Sequence, residues 1–155
     1  MLLLRLTQRD AGAGEHLVEI SVEGDGPRRT GEVRFAFALA RQDEENLRWY
    51  LEESLLYPQE PRGVVERIER RIAEIGEELF RKIFDNDTAA HRCWSDVADR
   101  LNELRVEIVT TAEGAAALPW ELLREPETKT ALALAVRAFV RALPEAGRAL
   151  RQLKT

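Results

Sequence analysis

A single cysteine, Cys93, in 155 residues excludes an internal disulfide and a multi-thiolate metal site, and it fits a reducing compartment. Long hydrophobic runs are also missing. No stretch approaches the roughly 18 apolar residues of a membrane span, and Arg5 breaks the run Leu2, Leu3, Leu4 too early for a secretory leader. These absences point to a cytoplasmic protein. Glycine and proline are few, at 9 and 6 residues, which sets aside collagen-like and low-complexity chains. There is no basic excess either: 23 Lys and Arg stand against 28 Asp and Glu, for a net charge of −5. Such a chain repels polyphosphate and anionic lipid, so neither nucleic acid nor membrane is an expected partner. What is present, 45% hydrophobic and 33% charged residues, suits one globular domain with a real core.

The first forty residues alternate with period two. Leu2, Leu4 and Leu6 form one set, Val18, Ile20 and Val22 a second, and Val33, Phe35, Phe37 and Leu39 a third. Polar, glycine-bearing segments at 9–15 and 24–27 separate them. The pattern predicts a three-stranded antiparallel sheet with one apolar face and places His16 in a solvated turn.

At Asp43 the period changes to about 3.6. Asp43 is suited to cap a helix, with Leu47, Tyr50, Leu51 and Leu55 on one stripe and Tyr57 and Pro58 ending it. A second helix, starting near Pro61 or Gly63, carries Val64, Ile68, Ile72, Ile75, Leu79, Phe80, Ile83 and Phe84 at helical spacing. Gly76 inside it costs roughly 1 kcal/mol relative to Ala, so it predicts the close approach of another element. Thr88 is read as the cap of a third helix holding Trp94, Val97 and Leu101. Strand periodicity returns at Leu104, Val106 and Ile108. After a loop around Gly114 comes Leu118-Pro119-Trp120-Glu121-Leu122-Leu123, in which Pro119 opens a short helix and Trp120 anchors it to the core. Leu132, Leu134 and Val136, alternating with alanines, predict a further strand stopped by Pro144, followed by a basic tail. The expected architecture is one mixed α/β (α+β) domain: a β-rich part over 1–40, a helical part over 43–102, two further strands with the Leu-Pro-Trp turn over 104–143, and a tail over 144–155.

No catalytic, cofactor-binding or metal-ligating set assembles from these residues. His91 and Cys93 lie two apart on a helix and point to different faces, so the imidazole is badly placed to activate the thiol. His91 with Asp87 lacks a third metal ligand. Glu52 and Glu53 are neighbours of the kind that 28 acids produce by chance. Gly12 with Gly14 and Gly24 with Gly26 have no following helix or Lys-Ser pair, so they make no phosphate loop. Arg67, Arg70 and Arg71 are interleaved with glutamates and read as a solvated face.

Several segments together resemble the N-terminal part of the CHAT domain, a caspase-like cysteine protease family found beside tetratricopeptide repeats. They are Asn46 to Glu53 with Tyr57-Pro58, the helix ending Gly76 to Phe80, the strand Leu104 to Ile108, Leu118 to Leu123, and Leu132 to Leu134 leading to Arg137, Phe139, Val140 and Arg141. Their order matches, and the resemblance spans roughly Val33 to Pro144. Its most specific pieces are Trp49-Tyr50-Leu51-Glu52-Glu53 and the Leu118 to Leu123 turn. In that family proteolysis depends on a His and a Cys lying downstream of the region matched here, and His91 and Cys93 correspond to neither. The resemblance therefore implies a non-catalytic subdomain that supports or regulates a caspase-like core in the same or another chain, with repeat domains as further protein partners. The alternative is a free-standing protein-interaction module of the same fold. Trp49, Tyr50, Glu52, Leu118, Pro119, Trp120, Glu121, Leu122, Leu134 and Phe139 are the candidate structural and partner residues. Self-association through the C-terminal strand is an added expectation, because truncation there would leave apolar surface.

Overall fold

The computed structural model describes residues 1–12, 14–52, 62–110 and 118–142. Strands β1 (Leu2–Asp10), β2 (Glu15–Glu23) and β3 (Arg29–Ala36) precede helices α1 (Arg41–Glu52), α2 (Arg62–Phe84) and α3 (Thr88–Val97). Strand β4 (Leu104–Thr110) follows, then a 3-10 turn over Trp120–Leu122 and the two-residue strands β5 (Arg124–Glu125) and β6 (Thr130–Ala131). The one-turn helix α4 (Leu132–Ala135) and strand β7 (Ala138–Ala142) complete the described chain. The fold is mixed α+β, with a five-stranded sheet in the order β3-β2-β1-β4-β7 and a small β5-β6 hairpin beside it.

The three N-terminal runs form the antiparallel hairpins that their alternation predicts, with Leu6 opposite Ile20 and Val18 opposite Val33. The sheet then grows on the other side of β1 by parallel pairing, Leu4 with Val106 and Val106 with Phe139. β1 is thus central. One face is dry: Leu2, Leu4, Leu6, Val18, Ile20, Val22, Val33, Phe35, Leu104, Val106 and Ile108 are all buried there. Arg5, Thr7, Glu19, Arg105 and Glu107 alternate onto the opposite face, where Arg5 and Glu107 pair at 3.1 Å.

α3 covers β2 and β3 so closely that a Cβ on Gly31 would lie 3.1 Å from the Ala90 nitrogen. Its Trp94 meets Phe80 edge-on, with centroids 4.8 Å apart, and Phe80 and Phe84 of α2 complete the aromatic cluster. α1 lies on α2, where both carboxylate oxygens of Asp43 accept from Arg71, at 3.1 and 3.0 Å. Asp43 is therefore no cap. α1 starts at Arg41, and the buried carboxylate is committed to the neighbouring helix.

Four other expectations are corrected. α3 is capped by Asp87, whose carboxylate accepts from the Ala90 N–H at 3.0 Å, with Thr88 as its first helical residue. β3 ends at Ala36, short of Leu39. His16 is a buried strand residue. The expected strand over Leu132, Leu134 and Val136 is instead α4 over Leu132–Ala135, capped by Val136: Leu132 is buried while Leu134 is 89% exposed. Leucine and alanine are strong helix formers and lack β-branching, and so short a window does not separate the two periods. The expected end of the first helix at Tyr57 and Pro58, the loop around Gly114, the stop at Pro144 and the basic tail lie outside the described residues.

Gly76 does mark a close approach. A Cβ there would stand 1.8 Å from the Leu122 carbonyl oxygen, because the 3-10 turn lies against α2 at this point. Replacing a helical glycine by alanine ordinarily stabilises by up to about 1 kcal/mol, but a backbone clash of this depth cannot relax by a rotamer change. Gly76→Ala should therefore destabilise the fold by about 1–3 kcal/mol, the range for forced overpacking, as read by the denaturant midpoint. A raised midpoint would mean that α2 and the turn are further apart than described.

Candidate functional site

The Leu118 to Leu123 segment is built from the inside out. Pro119 is half-buried and restricts the backbone leading into the turn, and the amides of Leu122 and Leu123 close it onto the carbonyls of Pro119 and Trp120 at 3.0 and 3.1 Å. Leu118, Trp120 and Leu123 point into the core, with Trp120 at 0% exposure. The indole Nε1–H donates to Gln8 Oε1 at 3.0 Å, and the Gln8 amide nitrogen donates to His16 Nδ1 at 3.2 Å. His16 Nε2 donates to the Phe37 carbonyl at 3.0 Å. A carbonyl only accepts, so the imidazole carries its hydrogen on Nε2, and each bond in the chain fixes the direction of the next.

Glu121 turns outward. Its carboxylate grips the guanidinium of Arg141 on β7 with both oxygens, and Arg141 also reaches the Leu118 carbonyl at 3.5 Å. This clasp ties the turn to the outer strand, beside the half-buried Phe139. Leu122 packs on the rim of the core.

Four of the candidate residues, Tyr50, Glu121, Leu122 and Leu134, meet around one shallow groove of about 320 Å³. Glu69, Ile72 and Ala73 of α2, with Arg124 and Ala131 of the hairpin, complete its walls. The Tyr50 hydroxyl donates to Glu69 at 3.1 Å; burial first, and then this carboxylate, raise its phenol above the ordinary pKa. Arg124 Nε lies 3.5 Å from Glu77, too far for a well-formed hydrogen bond, and it shares this buried carboxylate with Lys129 at 2.7 Å and Arg81 at 3.7 Å. Below it, Glu125 organises the hairpin turn. Burial opposes its charged form, but the Thr128 hydroxyl and the Thr128 and Glu127 amides outweigh that and hold its carboxyl below the usual range. Trp49, half-buried on α1, and Phe139 are not among the groove's lining residues. The side chain of Glu52 lies outside the described residues.

Sequence reasoning missed Gln8, His16, Glu69, Ile72 and Arg124 as members of these constellations. For two of them a signal existed: Gln8 continues the parity of Leu2, Leu4 and Leu6, and His16 that of Val18 and Ile20. Polar residues on an apolar parity imply a buried bond between them. The groove residues carried no such signal, since they come together only when α2 and the hairpin dock.

Catalytic chemistry has little to work with among the described residues. Cys93 is fully buried, and that burial raises its thiol pKa above the ordinary value. His91 is exposed, with Nδ1 at 3.8 Å from Asp85, while Asp87 is occupied as a cap. No group of three potential metal ligands occurs among the described residues, and none of their helices is long and apolar enough to cross a membrane. Compared with protein-family models, curated proteins and solved structures, the chain finds no match.

Two outcomes follow from this arrangement. Trp120→Ala should destabilise the fold by about 3–5 kcal/mol, the range for removing a large buried aromatic, with the indole's bond to Gln8 Oε1 lost as well; unchanged stability combined with lost partner binding would make the indole a docking contact. Cys93 should resist thiol-specific reagents in the native state and react only when the chain unfolds, and no peptide cleavage should depend on it. Cleavage abolished by Cys93→Ala would contradict the reading of a structural thiol.

Proposed function

We propose that this chain is a non-catalytic scaffold of the CHAT type, a unit that supports or regulates a caspase-like core on the same or another chain. The observation that carries the reading is strand β7, which among the described residues ends the parallel run β1-β4-β7 at the edge of the sheet. Natural sheets guard their edges with charges, bulges or prolines. At the opposite edge, β3 presents Arg29, Glu32 and Arg34. β7 reads Ala-Phe-Val-Arg-Ala, and its one charge is drawn to Glu121. Such a strand suits pairing with a partner strand, and the clasp fixes it beforehand against the turn. A protein is therefore the partner in this reading, with tetratricopeptide-type repeats as a further one, and no cofactor, nucleic acid or membrane is invoked. Its setting is the cytoplasm, a reading supported by the lone reduced thiol.

Sedimentation across a hundredfold concentration range tests the edge. The chain should self-associate as concentration rises, and Val140→Lys, which places an edge charge on β7, should shift the midpoint at least tenfold upward. A strict monomer at every concentration would overturn strand addition at β7 and favour the free-standing module.

A further inference from the structure

We propose that His16 is an acid-sensitive latch: only as the uncharged imidazole does it join the first hairpin to the Trp120 turn, and a proton taken up at Nδ1 breaks that join. The inference concerns the inside of the sheet and stands whether or not β7 takes a partner.

The two ends of the polar chain leave it no freedom. At one end the Trp120 indole nitrogen only donates, and at the other the Phe37 carbonyl only accepts. Gln8 must therefore turn its oxygen to the indole and its amide nitrogen to His16, and His16 must accept at Nδ1 while donating from Nε2. An imidazolium donates from both nitrogens. Its added Nδ1–H would point at the Gln8 amide nitrogen, 3.2 Å away, donor against donor. Rotating the Gln8 amide by half a turn relieves that contact and creates the same conflict at the indole, 3.0 Å away on the other side. No arrangement of these three side chains satisfies a protonated His16. Water is kept away as well, since Gln8, His16 and Trp120 are all buried.

The charged groups around the ring are few. Lys82 of α2 donates to the Ala36 carbonyl at 2.7 Å, one residue before Phe37, and so brings a positive charge to the same stretch of backbone. Asp10 stands opposite His16 in the register of β1 with β2. Glu15 and Arg34 alternate onto the other face of the sheet, where they lie 3.8 Å apart, and Glu121 is turned outward to Arg141. A histidine in an unfolded chain takes up its proton near pH 6.5. Acid then stabilises the unfolded chain, while the fold excludes the proton. Stability is therefore complete above about pH 7.5 and falls as the pH drops through the histidine range.

The chain has two histidines, and His91 is exposed, which makes the test clean. Denaturant unfolding is followed from pH 7.5 to 5.5, where one proton taken up on unfolding raises the unfolding constant about tenfold. His91→Gln and Asp10→Asn should keep that rise, and His16→Gln, although less stable at pH 7.5, should reduce it to about twofold or less. Proton NMR of the unsubstituted chain gives a second reading that needs no variant. Within the native signals, the Cε1–H of His91 should shift with pH while that of His16 stays in place. A flat unfolding constant, a full rise kept by His16→Gln, or a rise abolished by Asp10→Asn would overturn the latch. So would a native His16 signal that titrates while the Trp120 indole N–H signal stays unmoved.

Discussion

The hydrogen bond from the Trp120 indole to Gln8 joins the two halves of the chain. On one side of it lie the strands of the first forty residues; on the other, the turn that carries β7 through the Glu121 clasp. An indole N–H buried without an acceptor would lose much of what its ring gains, and Gln8 buried without a donor would suffer similarly. Each needs the other, and Gln8 in turn needs His16, whose remaining nitrogen is spent on the Phe37 carbonyl just beyond β3. An apolar substitute at Gln8 would fill the space but would not specify where the turn sits. The polar chain thus supplies direction to a core that leucine and isoleucine supply with bulk.

A second constraint acts from the helical side. Because Gly76 has no side chain, the Leu122 carbonyl can lie against the α2 backbone, and the turn is pinned between α2 and the sheet. The next residue along α2, Glu77, collects Arg124, Lys129 and Arg81. A carboxylate this buried is tolerable only with such partners. Adjacent residues of α2 thus do two different jobs, contact by absence and contact by charge, for the same neighbouring hairpin.

Most of the secondary structure was legible because it is local. The Leu2, Val18 and Val33 parities and the Val64 to Phe84 stripe each declare their element within a dozen residues or so. The parallel pairing of β1 with β4 was not legible, since nothing in Leu2 to Leu6 distinguishes β4 from any other apolar strand. Cap assignments went wrong at Asp43, which lies inside α1 and is claimed by Arg71, and at Thr88, where Asp87 one residue earlier takes the cap. Helix α4 was misread because leucine alternating with alanine satisfies both periods over so few residues. Of the candidate site, Trp120 as an anchor was visible in its Pro-Trp-Glu setting. Glu69, Ile72 and Arg124 were not, as each looks like an ordinary amphipathic residue until α2 and the hairpin are brought together.

The central position of β1 also has a meaning in time. Its hairpin with β2 closes over a few residues, but its other edge waits for β4, and contacts such as Arg5 with Glu107 span 102 positions. Closing a loop of that length costs on the order of 4 kcal/mol in chain entropy before any contact repays it. A ribosome will therefore have released the three-stranded meander long before its fourth strand exists, with the apolar flank of Leu2, Leu4 and Leu6 bare on one side. The helices made in that interval are the cover at hand. On this ordering α3 and α2 act first as a shield for an unfinished sheet and only later as one layer of a finished domain.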